Sequence, residues 1–453
     1  MNAAISQAMP DEPAISTGAP APPKHTLSRM SLHKSGVSVA SIPAVLPKGS
    51  GRPSALSALL PGAHLSTLDV DVSGLDWNDM VRRACKGGLG GLLLAAANRH
   101  GWRIPERPLA WLRQQALQTR LENTHMMRRL EEIAAQFLRH NVDVLLLKGA
   151  ALNLTLYERS DLRPMSDLDL LVRPEAATAS MTALEQLGFE RGPELVRSDF
   201  FPRFHYEVEY CTDEPRPVRI DLHVRPFRPL RFAQTVPPDA FWDCSEVYDL
   251  GGATVRVASL EDQFIHLATH SACHGHSRLL WLYDIRRLID ISGQAFDWDR
   301  VVRCCKRNGL VYPVRQALQS LEAIWGPICP DRVRQRLSSE RVAWRDRVCM
   351  AQAPHDTARP VRHVAVNLLC ATGIRFRFGY LLRMLIPDRN HLGQIYGRRH
   401  AGWVALAHAR RWLRAGLRIL WLPKAIGCSV SALVRKRFTS RRAPRRRAER
   451  FSM

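Results

Sequence analysis

Asp167 and Asp169 stand two residues apart in the run Arg163-Pro-Met-Ser-Asp-Leu-Asp-Leu-Leu-Val172, which is bounded by Pro164 and Pro174. The apolar run reads as a short β-strand, and a period of two turns both carboxylates to one face. Adjacent carboxylates repel each other and are costly beside apolar neighbours unless a cation neutralises them. A hard divalent ion, Mg²⁺ or Mn²⁺, takes oxygen ligands and suits such a pair. Asp-x-Asp also occurs often without a metal, so its surroundings decide the matter. Downstream, Val218-Arg-Ile-Asp-Leu-His-Val224 alternates apolar and polar residues and puts Asp221 and His223 on one face of another strand. A third carboxylate on a neighbouring strand is what two-metal phosphoryl transfer requires. One ion activates the attacking oxygen, and the other neutralises the triphosphate and the leaving pyrophosphate.

These residues need elements to hold them. Residues 142–149 read as a buried strand ending in a glycine turn, followed by helix-forming composition from Ala150 to Tyr157. Residues 175–187 read as a helix stopped by Gly188. Residues 204–210 alternate, with His205, Glu207 and Glu209 on one face, as in a strand with one wet side. A helical stripe of Leu117, Leu121, Met127, Leu130, Ile133, Ala134 and Phe137 is expected to be core. From Ser259 the chain is expected to be helical. There His266, His270 and His274 recur every four residues on one face, a spacing open to zinc. Asp284 is open to capping a turn, orienting a histidine or plain structural use.

The ensemble resembles the polymerase-β-like nucleotidyltransferases and, more narrowly, a bacterial family of uncharacterised nucleotidyltransferases. The matching pieces are Leu147-Lys148-Gly149, Tyr157, Arg163-x-x-x-Asp167-Leu168-Asp169, Gly188-Phe189, Ile220-Asp221-Leu222-His223, the histidine helix and Leu280-Trp281-Leu282-Tyr283-Asp284-Ile285. The superfamily usually has Gly-Ser or Gly-Gly where this chain has Gly149-Ala150, and its gap to the acidic strand is usually shorter. The resemblance implies an α+β fold, with a small mixed sheet and helices embedded in helical N- and C-terminal regions. It also implies transfer of a nucleoside monophosphate from an NTP to an acceptor, with release of pyrophosphate. Asp167, Asp169 and Asp221 would be the metal-binding, catalytic acids. Lys148, Gly149 and Arg163 would hold the triphosphate, although Arg163 can instead anchor the strand by pairing with an acid. His223, His270 and His274 would contact nucleotide. A sugar phosphate, a small metabolite, a peptide or protein side chain and an RNA end all remain open as acceptor. The other class of function is a non-catalytic scaffold that binds nucleic acid or anionic membrane through basic residues.

The net charge of +23 is uneven. Residues 331–453 hold 28 Lys+Arg against 6 Asp+Glu, while the first 330 residues hold 37 against 36. The expected organisation is a disordered segment (1–66), a helical region (67–140), the nucleotidyltransferase core (141–235), a helical region on the cleft (236–330), a basic helical region (331–434) and a disordered basic tail (435–453). In the basic region, residues 403–421 read as an amphipathic helix with Arg411, Arg414 and Arg418 on its polar side. RNA and an anionic membrane surface are the partners such charge suits. Ten cysteines without a Cys-x-x-Cys pair point to reduced thiols in the cytosol. No secretory h-region and no membrane-length apolar run is present. The expected location is therefore cytoplasmic, with peripheral membrane attachment left open.

Overall fold

The computed structural model describes residues 72, 74–192, 204–353 and 360–386. Helices α1 (Trp77–Lys86), α2 (Gly90–His100) and α3 (Glu106–Arg139) come first. The Asp76 carboxylate accepts the Asp79 N–H at 3.1 Å and so starts α1. In the long α3, Leu112, Ala116, Asn123, Met126, Leu130, Ile133 and Phe137 are buried at helical spacing. Leu117 and Leu121, expected in that stripe, are exposed. The first half of α3 packs on α1 and α2 through Leu112 and Ala116, and only its second half reaches the sheet. One face of α3 is thus buried along its length against different partners, and Leu117 and Leu121 fall on the opposite face.

A seven-stranded mixed sheet is the centre of an α+β fold. Its strands are β1 (Leu145–Leu147), β2 (Leu168–Leu171), β3 (Phe189–Arg191), β4 (Glu207–Thr212), β5 (Arg219–His223), β6 (Glu246–Leu250) and β7 (Ala253–Val257). Their order is β3-β4-β5-β2-β1-β7-β6. The β6–β7 hairpin falls in a region expected to be helical. Its signal was present in the alternating Glu246-Val-Tyr-Asp-Leu and Ala253-Thr-Val-Arg-Val around Gly251-Gly252. Both glycines have positive φ, 64° and 86°, as a tight two-residue hairpin turn requires.

Between the strands lie α4 (Lys148–Thr155), α5 (Ala177–Gln186) and α6 (Leu230–Thr235). One face of the sheet, carrying Leu146, Leu168, Leu170, Val172, Ile220 and Leu222, packs against α3 and α5. The other face carries Leu145, Leu147 and Leu171 toward α7 (Leu260–Cys273) and α8 (Leu279–Ser292). Strand alternation assigns each residue to one of these two layers.

The chain continues through α9 (Trp298–Asn308), α10 (Val311–Trp325), α11 (Asp331–Ser339), α12 (Trp344–Gln352), α13 (Pro360–Cys370) and α14 (Ile374–Leu385). Val333, Leu337, Cys349, Met350, Val366 and Cys370 join the same buried cluster as α7 and α8, so the apolar core runs past residue 330. The expected helix at residues 403–421, the N-terminal segment 1–66 and the basic tail lie outside the described residues. Among the described residues no helix is long and apolar enough to cross a membrane.

Candidate active site

The register of the central strands brings the acids together. β1 runs antiparallel to β2 with Leu147 opposite Asp169. β5 runs parallel to β2 and sets Asp221 beside Asp169. β4 pairs antiparallel with β5, with Glu209 opposite Asp221 and Glu207 opposite His223. Residues paired across strands share a face, so four strands contribute to one polar patch on the side covered by α7.

Possible metal-ligand atoms of Asp169, Asp221 and His223 lie within 4.8 Å of one another. Asp169 is buried, and its Oδ1 accepts hydrogen bonds from Lys148 Nζ at 2.5 Å and His223 Nε2 at 3.0 Å. Glu207 Oε2 is 3.7 Å from the same His223 nitrogen, and Tyr206 Oη donates to the other Glu207 oxygen. Asp167 precedes β2, is half-buried and accepts from the Ser166 hydroxyl at 3.0 Å. It is not in the 4.8 Å group. The three acids expected to converge are thus represented there by Asp169 and Asp221, with His223 as the third member. Asp167 lies one residue before the pairing of β2 begins, close enough for its charge to act on Asp169 and Asp221.

The electrostatics follow from burial and crowding. Burial, then the charges of Glu207, Asp169 and Asp167, push the Asp221 carboxyl up to about 9. Burial and Asp169 also raise Asp167. Asp169 goes the other way: burial opposes its ionisation, but Lys148 and His223 outweigh it and hold the carboxyl below its ordinary range. For Lys148, burial disfavours the ammonium, yet Asp169, Glu207 and Asp167 reverse this and hold its pKa above the usual value. Four carboxyl groups thus crowd around one ammonium. A divalent cation fits this set, because its oxygen donors are already gathered and two further positive charges would relieve the crowding. His223 Nδ1 is buried without a hydrogen-bond partner, so this ring is held by its Nε2 contacts within the site.

The remaining expected residues divide. Lys148 leads from β1 straight into α4 with φ of 45°, a left-handed conformation unusual for lysine. Gly149 is buried in the first turn of α4, and a Cβ there would meet Arg163 Nη1 at 2.8 Å and Met165 Cγ at 3.1 Å. Arg163 is not free for triphosphate. Its Nε and Nη2 donate to buried Asp284 at 3.2 and 3.1 Å, and Tyr157 Oη donates to the same carboxylate at 2.6 Å. The anchoring alternative for Arg163 is therefore the arrangement seen, and Asp284 is its partner. The guanidinium needs a counter-charge where it is buried, and α8 supplies one.

His270 and His274 lie 4.6 Å apart, with Trp281 4.8 and 5.1 Å from them. His266, further up α7, donates from Nε2 to Pro226 O at 3.1 Å, since a carbonyl oxygen only accepts. Burial and the nearby Lys148 charge lower His266 to about 3 and push His270 well below its ordinary value, so both are neutral. Lys148, hydrogen-bonded to Asp169, also lines a small cavity with His266.

Glu207 is the site residue that sequence reasoning set aside as part of a wet strand face. Its signal lay in the hairpin: two alternating strands, each with paired polar residues, joined by the short turn around Asp213 to Pro217.

Residues 73–326 match a protein family described as uncharacterised nucleotidyltransferase. A crystal structure of an antigenic nucleotidyltransferase-like protein from Paracoccidioides brasiliensis is similar at 16% identity and a TM-score of 0.30, over 47% of this chain and 97% of that one. No curated protein matches the chain.

Proposed function

Because the chain belongs to the family of uncharacterised nucleotidyltransferases, we propose that it transfers a nucleoside monophosphate from an NTP to an acceptor hydroxyl and releases pyrophosphate. The observation that carries this reading is the gathering of Asp169, Asp221 and His223 within 4.8 Å, with Asp167, Glu207 and Lys148 around them. Asp169 and Asp221 would hold Mg²⁺ or Mn²⁺, with Asp167 close by and His223 either ligating or fixing Asp169 by its 3.0 Å hydrogen bond. The ion, when bound, supplies positive charge to the phosphates and lowers the pKa of the attacking oxygen.

The chain's own groups account for the rest. The acceptor oxygen attacks the α-phosphorus as the bond to pyrophosphate breaks, and a carboxylate takes the hydroxyl proton. Asp221 would fill that role once a bound ion offsets the burial and crowding that otherwise keep a proton on its carboxyl. Lys148 would turn from Asp169 to triphosphate oxygens. The first amides of α4, from Gly149 and Ala150, point the same positive helix end toward anions. His270 and His274 would hydrogen-bond phosphate or ribose from the α7 side. Arg163 acts through Asp284 to hold the acidic loop and touches no substrate.

The test is a label-transfer screen with each of four NTPs, labelled at the α- or γ-phosphate, beside metal-dependent thermal shifts. Retention of the α-label on an acceptor, release of pyrophosphate and loss of both in Asp169→Asn are expected. A nucleotide-induced shift that is equal with and without divalent ion, and unchanged in Asp169→Asn, would sink the reading.

A further inference from the structure

Helix α14 is apolar on two opposite sides. On the inner side, Phe376 and Tyr380 hold their rings 5.0 and 5.9 Å from that of Phe204. At 100° per residue, Ile374, Phe378, Leu381 and Leu382 fall within one stripe on the other side. All four are exposed, Ile374 by 78% and Phe378 by 65%. Arg375 borders this stripe on one edge and Arg377 on the other. Single exposed apolar residues need no explanation, but a continuous stripe along a helix marks a surface for binding.

We propose that α14 docks on the surface of an anionic lipid bilayer, with the stripe in the headgroup boundary and the arginines at its edges. Charge selects this occupant. Residues 331–453, which include α14, carry 28 Lys+Arg against 6 Asp+Glu, and such an excess is attracted to an anionic leaflet. A second copy of this chain is disfavoured, since a two-fold interface sets the same basic surface against itself. RNA would meet the charge but leave three aliphatic side chains without a partner, since strand binding relies on aromatic stacking. An interfacial helix uses both features, an apolar stripe and basic flanks.

The placement has a consequence for the candidate site. Phe204, on which α14 rests, is three residues before Glu207. Docking α14 would therefore hold the acidic cleft at the membrane surface. The inference stands apart from nucleotidyl transfer, since it concerns a different face and a different readout.

The experiment is co-sedimentation of the full-length protein with vesicles of phosphatidylcholine, alone or with about 30 mol % phosphatidylglycerol. The comparison is the double variant Ile374→Ser/Phe378→Ser, whose melting temperature is recorded alongside. Wild type should bind the anionic vesicles, and the variant should partition at least tenfold more weakly with an unchanged melting temperature. Equal binding by the variant would assign attachment to basic residues alone and overturn the role of α14. So would absence of wild-type binding. A variant that melts several degrees lower while binding vesicles equally would show that the chain's own residues cover the stripe. Loss of single-stranded RNA binding in the variant with vesicle binding unchanged would make the stripe an RNA surface.

Discussion

Removing the Asp284 carboxylate should cost far more than an average substitution. Asp284 is fully buried and accepts from Arg163 Nε, Arg163 Nη2 and Tyr157 Oη at 3.2, 3.1 and 2.6 Å. Asp284→Ala leaves a buried guanidinium without its counter-charge and a buried phenol without an acceptor. Breaking a buried ion pair from one side costs about 3–5 kcal/mol, and the stranded phenol adds about 1 kcal/mol or more. For a body of this size, about 2 °C per kcal/mol converts the summed loss of about 4–6 kcal/mol to a fall of about 8–12 °C in melting temperature. The same pair fastens the loop before β2, where the Asn123 amide also donates to Ser160 O and Arg163 O at 2.7 Å and accepts from Met165 N at 3.0 Å. Mn²⁺ affinity, measured by titration well below the melting point, should therefore fall as well. The control is Arg163→Met with Asp284→Leu, which removes both charges together and should recover more than half of the lost stability. A melting temperature within 2 °C of wild type for Asp284→Ala, or a double variant no more stable than the single, would refute the reasoning.

Other outcomes follow from the same geometry. Lys148→Met takes the ammonium away from Asp169, so Mn²⁺ should bind more tightly while NTP binds more weakly; titration of each ligand separates the two effects. His266 has a pKa lowered to about 3 by burial, so the unfolded chain binds a proton that the folded chain does not between about pH 6.5 and 3. Stability should therefore fall as pH drops through that window, by about 1.4 kcal/mol per unit for one proton. The pH slope in denaturant titrations should be shallower by one proton in His266→Gln, and an unchanged slope would rule His266 out as its source. Gly91 faces the loop before the acidic strand so closely that a Cβ would lie 2.0 Å from Asp161 O. Gly91→Ala should accordingly lower the melting temperature by several degrees, even though alanine is the better helix former.

Asp167-Leu-Asp169 and Ile220-Asp-Leu-His223 were legible because strand alternation is a local property: it puts Asp167 with Asp169 on one face of their strand, and Asp221 with His223 on one face of theirs, before any contact is known. Lys148-Gly149, at the join of an apolar run and a helix-forming run, was legible for the same reason. The two-residue glycine turn of β6–β7 is equally local, since Gly251-Gly252 between two alternating runs signals a hairpin without any distant partner. Other features depended on partners far apart in sequence. Register places Asp221 beside Asp169 and Glu207 opposite His223, and no spacing within either strand reveals that alignment. Arg163 could serve a phosphate or an acid on charge alone; α8 decided the matter by bringing a buried carboxylate from 121 residues away. Leu117 and Leu121 are apolar but lie about half a turn around α3 from Leu130, so helical geometry sets them on the face opposite the buried one, and both are exposed. Periodicity thus determined which residues could point together. Long-range pairing, driven by the need to bury apolar surface and neutralise buried charge, determined which of them meet.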